Sequence, residues 1–137
     1  MILGVGIDIV DLAAFRRQLG DGASHFVSGT FTPGEQAASA RAAGDVAQRL
    51  AARFAAKEAF FKAWGGASRG RPPAATHLDL RDVEVVQDAW GRPSLRLGGL
   101  AAQAAEAGGW EVHLSMSHDG GYAAATVMLC RRADAAR

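Results

Sequence analysis

Apolar and polar positions alternate along residues 2–10: Val5, Ile7 and Ile9 share one face, and Gly4, Gly6, Asp8 and Val10 the other. A period of two predicts a β-strand. Two glycines beside Asp8 leave room for a backbone or helix to approach closely. The period then lengthens. Leu12, Phe15 and Leu19 recur at helical spacing, with Arg16 and Arg17 pointing elsewhere and Gly20 available as a stop. Thr32-Pro33-Gly34-Glu35 reads as a helix start, with Thr as N-cap, Pro in the first helical position and Glu in the third. A short helix to about Ala43 follows. Asp45, with Gln48 three residues on, opens a longer helix reaching about Trp64 and ended by Gly65-Gly66.

Residues 67–76, rich in Gly, Pro and Arg, predict a surface loop too short to divide two domains. Residues 83–86 and 94–97 predict strands joined around Trp90-Gly91-Arg92-Pro93. An Ala-rich helix over residues 100–107 ends at Gly108-Gly109. Residues 110–117 and 122–129 then form a second hairpin, turning through Asp119-Gly120-Gly121. Helices come early and antiparallel hairpins late. The expected fold class is α+β, a small antiparallel sheet of hairpins packed against a long central helix, in one domain over residues 1–137.

Composition narrows the function classes. An apolar share of 49% and a charged share of 21% belong to a globular chain rather than a disordered one. At 137 residues there is little room for a deep private cleft, which leaves a site shared between subunits open. A formal net charge of +1 without a basic run argues against a nucleic-acid partner. The single cysteine, Cys130, excludes an internal disulfide and fits a reducing compartment. Met1-Ile2-Leu3-Gly4 lacks the features of a signal peptide, and no apolar run approaches the roughly 20 residues a bilayer demands. The expectation is a cytoplasmic protein with no membrane partner.

The candidate chemistry lies on the long helix. Leu50, Phe54, Glu58 and Lys62 are each four residues apart and share one slowly drifting face. Leu50 and Phe54 belong to the core, so the stripe carries Glu58 to the edge of buried space, where an unpaired carboxylate is costly. Asp8 poses the same problem in an apolar strand. Two inward carboxylates invite a shared cation. Without a nearby Cys or His pair, the donor set suits a hard ion such as Mg²⁺, which takes one or two carboxylates and completes its shell with water and phosphate oxygens. The alternative is plainer: Asp8 caps the helix starting near Asp11, and Glu58 pairs with Lys62, an exposed pair worth about 0.3–0.5 kcal/mol. Spacing leaves both open.

Arg53 and Lys57 form an i,i+4 ridge, and Lys62 lies a turn beyond Glu58. Each alone reads as part of a solvated basic face; together with a metal they suit a polyphosphate. Near the end of the chain Val112, Leu114 and Met116 alternate with His113, Ser115 and Ser117, and His118-Asp119 follow at the turn. One face is core. The other is a candidate ligand-facing rim, although a lone strand histidine is more often structural.

Three segments together resemble the holo-acyl-carrier-protein synthase family of 4′-phosphopantetheinyl transferases: Gly4-Val5-Gly6-Ile7-Asp8-Ile9-Val10, Arg53-Phe54-Ala55-Ala56-Lys57-Glu58-Ala59-Phe60-Phe61-Lys62-Ala63, and His113-Leu114-Ser115-Met116-Ser117-His118. Their order and spacing extend the resemblance over nearly the whole chain, and Lys57-Glu58…Lys62-Ala63 is its most specific part. The resemblance implies that a carrier-protein serine attacks the β-phosphate of coenzyme A, releasing adenosine 3′,5′-bisphosphate. It implies Mg²⁺ on Asp8 and Glu58, Lys62 on a diphosphate oxygen, and Lys57 and Arg53 as further phosphate or interface contacts. His113 is implied near the diphosphate, and His118 with Asp119 near the nucleotide end. Gly65 and Ser115 join the implied coenzyme A contacts. A metal-bound water, Glu58 or His113 would accept the serine proton. The family also implies a homotrimer with sites between subunits, apo acyl carrier protein as partner, and a place in fatty acid biosynthesis.

Two departures stand out. Ala14 occupies a position where an arginine is usual on the helix that docks the carrier; Arg16 and Arg17 are nearby, on different faces. The turn after the long helix is altered to Gly65-Gly66-Ala67 and leads into an Arg/Pro-rich loop. The competing readings are a diphosphate hydrolase using the same metal site and a non-catalytic coenzyme A-binding subunit.

Overall fold

A computed structural model of the chain describes residues 1–20, 25–73 and 77–133. Strand β1 (Ile2–Asp11) leads into α1 (Leu12–Gly20), α2 (His25–Thr30), α3 (Pro33–Arg41) and the long α4 (Val46–Ala67). A 3₁₀ turn (Leu80–Asp82), the hairpin β2 (Val83–Gln87) and β3 (Pro93–Leu97), helix α5 (Gly99–Gly108), and the hairpin β4 (Trp110–Asp119) and β5 (Tyr122–Arg131) complete it. The expected α+β fold is present. Strand β1 pairs antiparallel with β5, giving a three-stranded sheet in the order β1-β5-β4, while β2 and β3 form a separate two-stranded sheet.

The three-stranded sheet lies on α4 through backbone contact. A Cβ on Gly6 would stand 1.8 Å from the Ala59 carbonyl oxygen, and one on Gly4 2.1 Å from that of Ala63. Only glycine admits so close an approach. The helix answers with small residues, since Ala55, Ala56, Ala59 and Ala63 are fully buried. The glycine face of β1 is therefore the inner one. Its apolar partner face, Val5, Ile7 and Ile9, is 55–66% exposed. The hairpin turn after β4 runs through Gly120 (φ +52) and Gly121 (φ +87), a left-handed pair that matches the twist of the strands it joins.

Two details differ from the sequence expectation. Helix α4 does not stop at Gly65-Gly66 but runs through them to Ala67, because Gly66 is laid against the Gly4–Val5 backbone and that contact compensates the glycines' poor helix propensity. The six-residue α2 was not foreseen, being too short to show a period. Tertiary contacts hold it: Phe26 packs edge-on to Phe15, Phe31 and Phe54, with ring centroids 5.7–6.2 Å apart. No described helix is long and apolar enough to cross a membrane.

Candidate active site

Strand β1 and helix α4 bring Asp8 and Glu58 together. Asp8 follows Gly6 on the inner face of β1, where the missing Cβ lets the strand sit on the helix, and Glu58 projects from the adjoining turn of α4. Both line one hollow of about 400 Å³, with Asp11, Ala14, Phe15 and Phe54 around it. Lys62, one turn beyond Glu58, donates to Asp8 Oδ1 at 2.9 Å and to the Ile7 carbonyl at 2.9 Å. Partial burial pushes the Glu58 carboxyl above its ordinary range, the Asp8 charge adds to the rise, and Lys62 opposes it.

The alternative reading of these carboxylates does not describe the molecule. Asp11, not Asp8, accepts from the backbone N–H of Ala13 (3.0 Å) at the start of α1. Lys62 pairs with Asp8, not with Glu58. What remains is two carboxylates facing one hollow with a single lysine bonded to one of them, a local shortage of positive charge. The described residues hold no cluster of three or more His, Cys, Asp or Glu that could bind a metal. A two-carboxylate donor set fits a hard divalent ion that draws its remaining ligands from water and phosphate.

Lys57 corrects an expectation. The resemblance implied a phosphate or interface contact, but Lys57 is fully buried. Its Nζ donates to Glu35 Oε1 (2.6 Å), the Val83 carbonyl (2.7 Å) and the Leu80 carbonyl (3.0 Å), which uses all three donors. Burial pushes its pKa down, against the pull of Glu35. Glu35 in turn accepts from the backbone N–H of Val85 (2.9 Å) while completing the capping box of α3 with Thr32. The pair ties α3, α4 and the β2–β3 hairpin together and does not reach a ligand.

Arg53 lies beside a second cavity. This cavity, of about 360 Å³, lies between the start of α4, the β2–β3 hairpin and the end of β4, and Arg49, Arg53, Gln87, Ser117 and His118 line it. Arg53 is 3% exposed, donates to the Arg49 carbonyl and to Gln87 Oε1 at 3.3 Å each, and leaves its Nε without a partner. Burial lowers its pKa; Glu35 counters this and the Arg49 charge reinforces it. Sequence reading missed Arg49 and Gln87, although Arg49 lies one helical turn before Arg53. A further cavity, of about 520 Å³, lies between Trp64, Arg71, Trp110 and Arg131, and none of the candidate residues lines it.

The other candidates are spread over the outer surface. Val112, Leu114 and Met116 face the core, as the alternation predicted, and His113, Ser115 and Ser117 face outward. By register His113 shares a row with Met128 and Val5, and Ser115 one with Thr126 and Ile7. His113, whose Nε2 lies 3.2 Å from Glu111 Oε1, is thus on the opposite face of the sheet from Asp8. One chain alone does not bring them together. Gly65 is exposed on α4, and Asp119 is exposed at the end of β4. Arg16 is bonded to Asp45, whereas Arg17 is exposed on α1.

Small residues seat the acid-bearing strand on the acid-bearing helix, and residues 4–127, which include both elements, match the 4′-phosphopantetheinyl transferase superfamily; the chain belongs to it. Within it the chain is similar to the holo-[acyl-carrier-protein] synthase of Mycobacterium sp. (strain KMS), 43% identical over 129 residues that cover 93% of this chain and 96% of the other. Its fold is similar to that in the ACPS–CoA complex of Chronobacterium ammoniagenes, with a TM-score of 0.86 at 41% identity, covering 94% of this chain and 97% of that one. It is also similar to that of Mycobacterium tuberculosis acyl carrier protein synthase, with a TM-score of 0.77 at 39% identity, covering 96% and 100%.

Proposed function

We propose that the chain transfers 4′-phosphopantetheine from coenzyme A to a serine of an apo acyl carrier protein, with Mg²⁺ held by Asp8 and Glu58. The observation that carries the reading is the meeting of these two carboxylates in one hollow, with Lys62 bonded to Asp8. When bound, the ion neutralises diphosphate charge and polarises the reacting phosphorus. Lys62 sits where it can exchange its contact with Asp8 for a diphosphate oxygen and steady the leaving charge. The serine oxygen forms a bond to the β-phosphorus as the bond to the α-phosphate breaks, and adenosine 3′,5′-bisphosphate departs. Glu58 and His113 are the side chains able to take the hydroxyl proton.

Because His113 and Ser115 face away from Asp8 within one chain, a complete site requires a second copy. The outer sheet face supports a homotrimer with sites between subunits: Val5, Ile7 and Ile9 are more than half exposed and continue across the register into Tyr122 and Met128, an apolar band that suits burial against another chain. Arg53, His118 and Asp119 then serve the nucleotide end of coenzyme A, and Gly65 the path beside Lys62. Arg17, on exposed α1 beside the Asp8–Glu58 hollow, serves the carrier, with Arg16 as its ion-paired neighbour. A free Cys130 and use of coenzyme A suit the cytoplasm.

Mass spectrometry of several apo carrier proteins incubated with coenzyme A, Mg²⁺ and the purified chain tests this. A mass gain of one phosphopantetheine is expected, reduced about a hundredfold or more in Glu58→Gln and lost with chelator. No gain on any carrier would reject the reading; free phosphopantetheine released without a carrier would mark a hydrolase instead.

A further inference from the structure

We infer that the cavity between the end of α4, the end of α5 and the start of β4 binds an amphipathic anion, an apolar chain ending in a carboxylate. At about 520 Å³ it has the size of a small-molecule site. It shares no lining residue with the Asp8–Glu58 hollow or with the cavity beside Arg53, and the transfer chemistry makes no use of it. The two elements that carry the carboxylates still form one wall, through Leu3 on β1 and Trp64 and Ala67 on α4.

The walls set the body of the ligand. Leu3, Trp64, Ala67, Ala104, Ala107 and Trp110 give the cavity an apolar lining. Trp64 and Trp110 meet edge to face, with ring centroids 5.9 Å apart, and the fully buried Phe60 packs against both at 6.0 and 6.2 Å. Gly108 seats the second indole: a Cβ there would stand 2.2 Å from Trp110 Nε1. Gly109, at φ +62, then turns the chain from α5 into β4. The Gly108-Gly109 pair thus ends a helix and builds an aromatic corner. Such a surface gains by taking alkyl groups out of water.

Charge sets the head. Arg71 and Arg131 line the cavity, and no described Asp or Glu does. The acids that flank it in sequence are engaged elsewhere: Glu106 lies 3.5 Å from Arg132, and Glu111 lies 3.2 Å from His113. Local structure places Arg71. Its backbone N–H donates to the Ser68 carbonyl at 3.0 Å, closing a turn in which Gly70 takes φ +83. Its guanidinium donates to the Ala67 carbonyl at 3.2 Å, which holds the side chain at the end of α4 and leaves most of the fork for an anion. Walls of one sign of charge draw the opposite sign, and a planar fork matches the two oxygens of a carboxylate.

Calorimetry with octanoate, octanol and acetate tests the inference on the native chain. Octanoate should bind with a Kd below about 0.3 mM, octanol at least about tenfold more weakly for want of the charged head, and acetate not measurably for want of the chain. Arg71→Gln should weaken octanoate about tenfold or more and move octanol by less than about threefold. Arg71→Lys, which keeps the charge without the fork, should lie between. Ala107→Glu, which sets an acid against the cavity, should abolish octanoate binding. Both positions are exposed, so these variants should keep the fold. Saturating coenzyme A should shift octanoate affinity by less than about threefold, as expected for separate sites. Competition between the two overturns the inference, as does equal affinity for octanoate and octanol, or unchanged octanoate affinity in Arg71→Gln. No octanoate binding overturns it outright. The carrier assay judges the transferase reading separately, since octanoate binding needs neither carrier nor metal.

Discussion

Lys57 and Glu58 are neighbours in sequence with opposite fates. The helix turns about 100° between them, which carries Lys57 into the seam between α3 and the β2–β3 hairpin and leaves Glu58 on the rim of the hollow it shares with Asp8. A buried ion pair adds little over well-packed apolar groups, but breaking one side strands the other. Lys57→Met alone is expected to cost about 3–5 kcal/mol in urea denaturation, and Glu35→Gln in the same background should cost less than the sum of the two single changes. A phosphate-contact role would instead leave stability intact and raise KM. Counting positions along a helix groups Arg53 with Lys57. The residues opposite them, which no helix count contains, separate the two roles.

At the scale of elements, the N-cap of α4 was readable and its consequences follow. Asp45 accepts from the backbone N–H of Gln48 at 3.2 Å and is also bonded to Arg16 on α1, so one carboxylate starts the long helix and ties the first helix to it. The Gln48 N–H is the main reason its pKa falls below the ordinary 3.8; slight burial opposes this and Arg16 adds to it. A carboxyl whose folded pKa is depressed contributes fully above its unfolded value and loses that contribution as pH falls through the folded one. Asp45→Ala is expected to cost about 1 kcal/mol near neutral pH. Asp45→Asn should keep the cap and flatten the stability decline below pH 3.8, measured by denaturation at stepped pH. The β1–α4 contact was legible only in outline. Gly4 and Gly6 signal a close approach, but the Ala59 and Ala63 carbonyls that they meet emerge only in the fold.

The whole molecule presents a contradiction that a single chain does not resolve. Val5, Ile7 and Ile9 alternate as core residues do, yet they face outward at 55–66% exposure, on the side of the sheet that carries His113 and Ser115. The proposed trimer, closing over this face, would remove the apolar band from water and let one subunit's outer rim complete another's carboxylate site. Ile7→Asp should shift the assembly towards monomer in sedimentation and lower transfer by about tenfold or more at micromolar chain, with recovery at higher concentration. A monomeric native chain of full activity would overturn this account.

Element order, the capping box at Thr32–Glu35, the two hairpins and the inward placing of Asp8 and Glu58 on their own elements were set by local signals, periodicity and turn residues, whereas their meeting in one hollow was decided by the fold. Local signals depend on near neighbours, and a sequence displays near neighbours directly. The burial of Lys57, the run of α4 past Gly65 and Gly66, the short α2 and the acid-free pocket around Arg49 were decided by tertiary structure. Each depends on what a distant segment places opposite. Glu35, which meets Lys57 and Val85 across 22 and 50 residues of chain, shows why local pattern could not reach them.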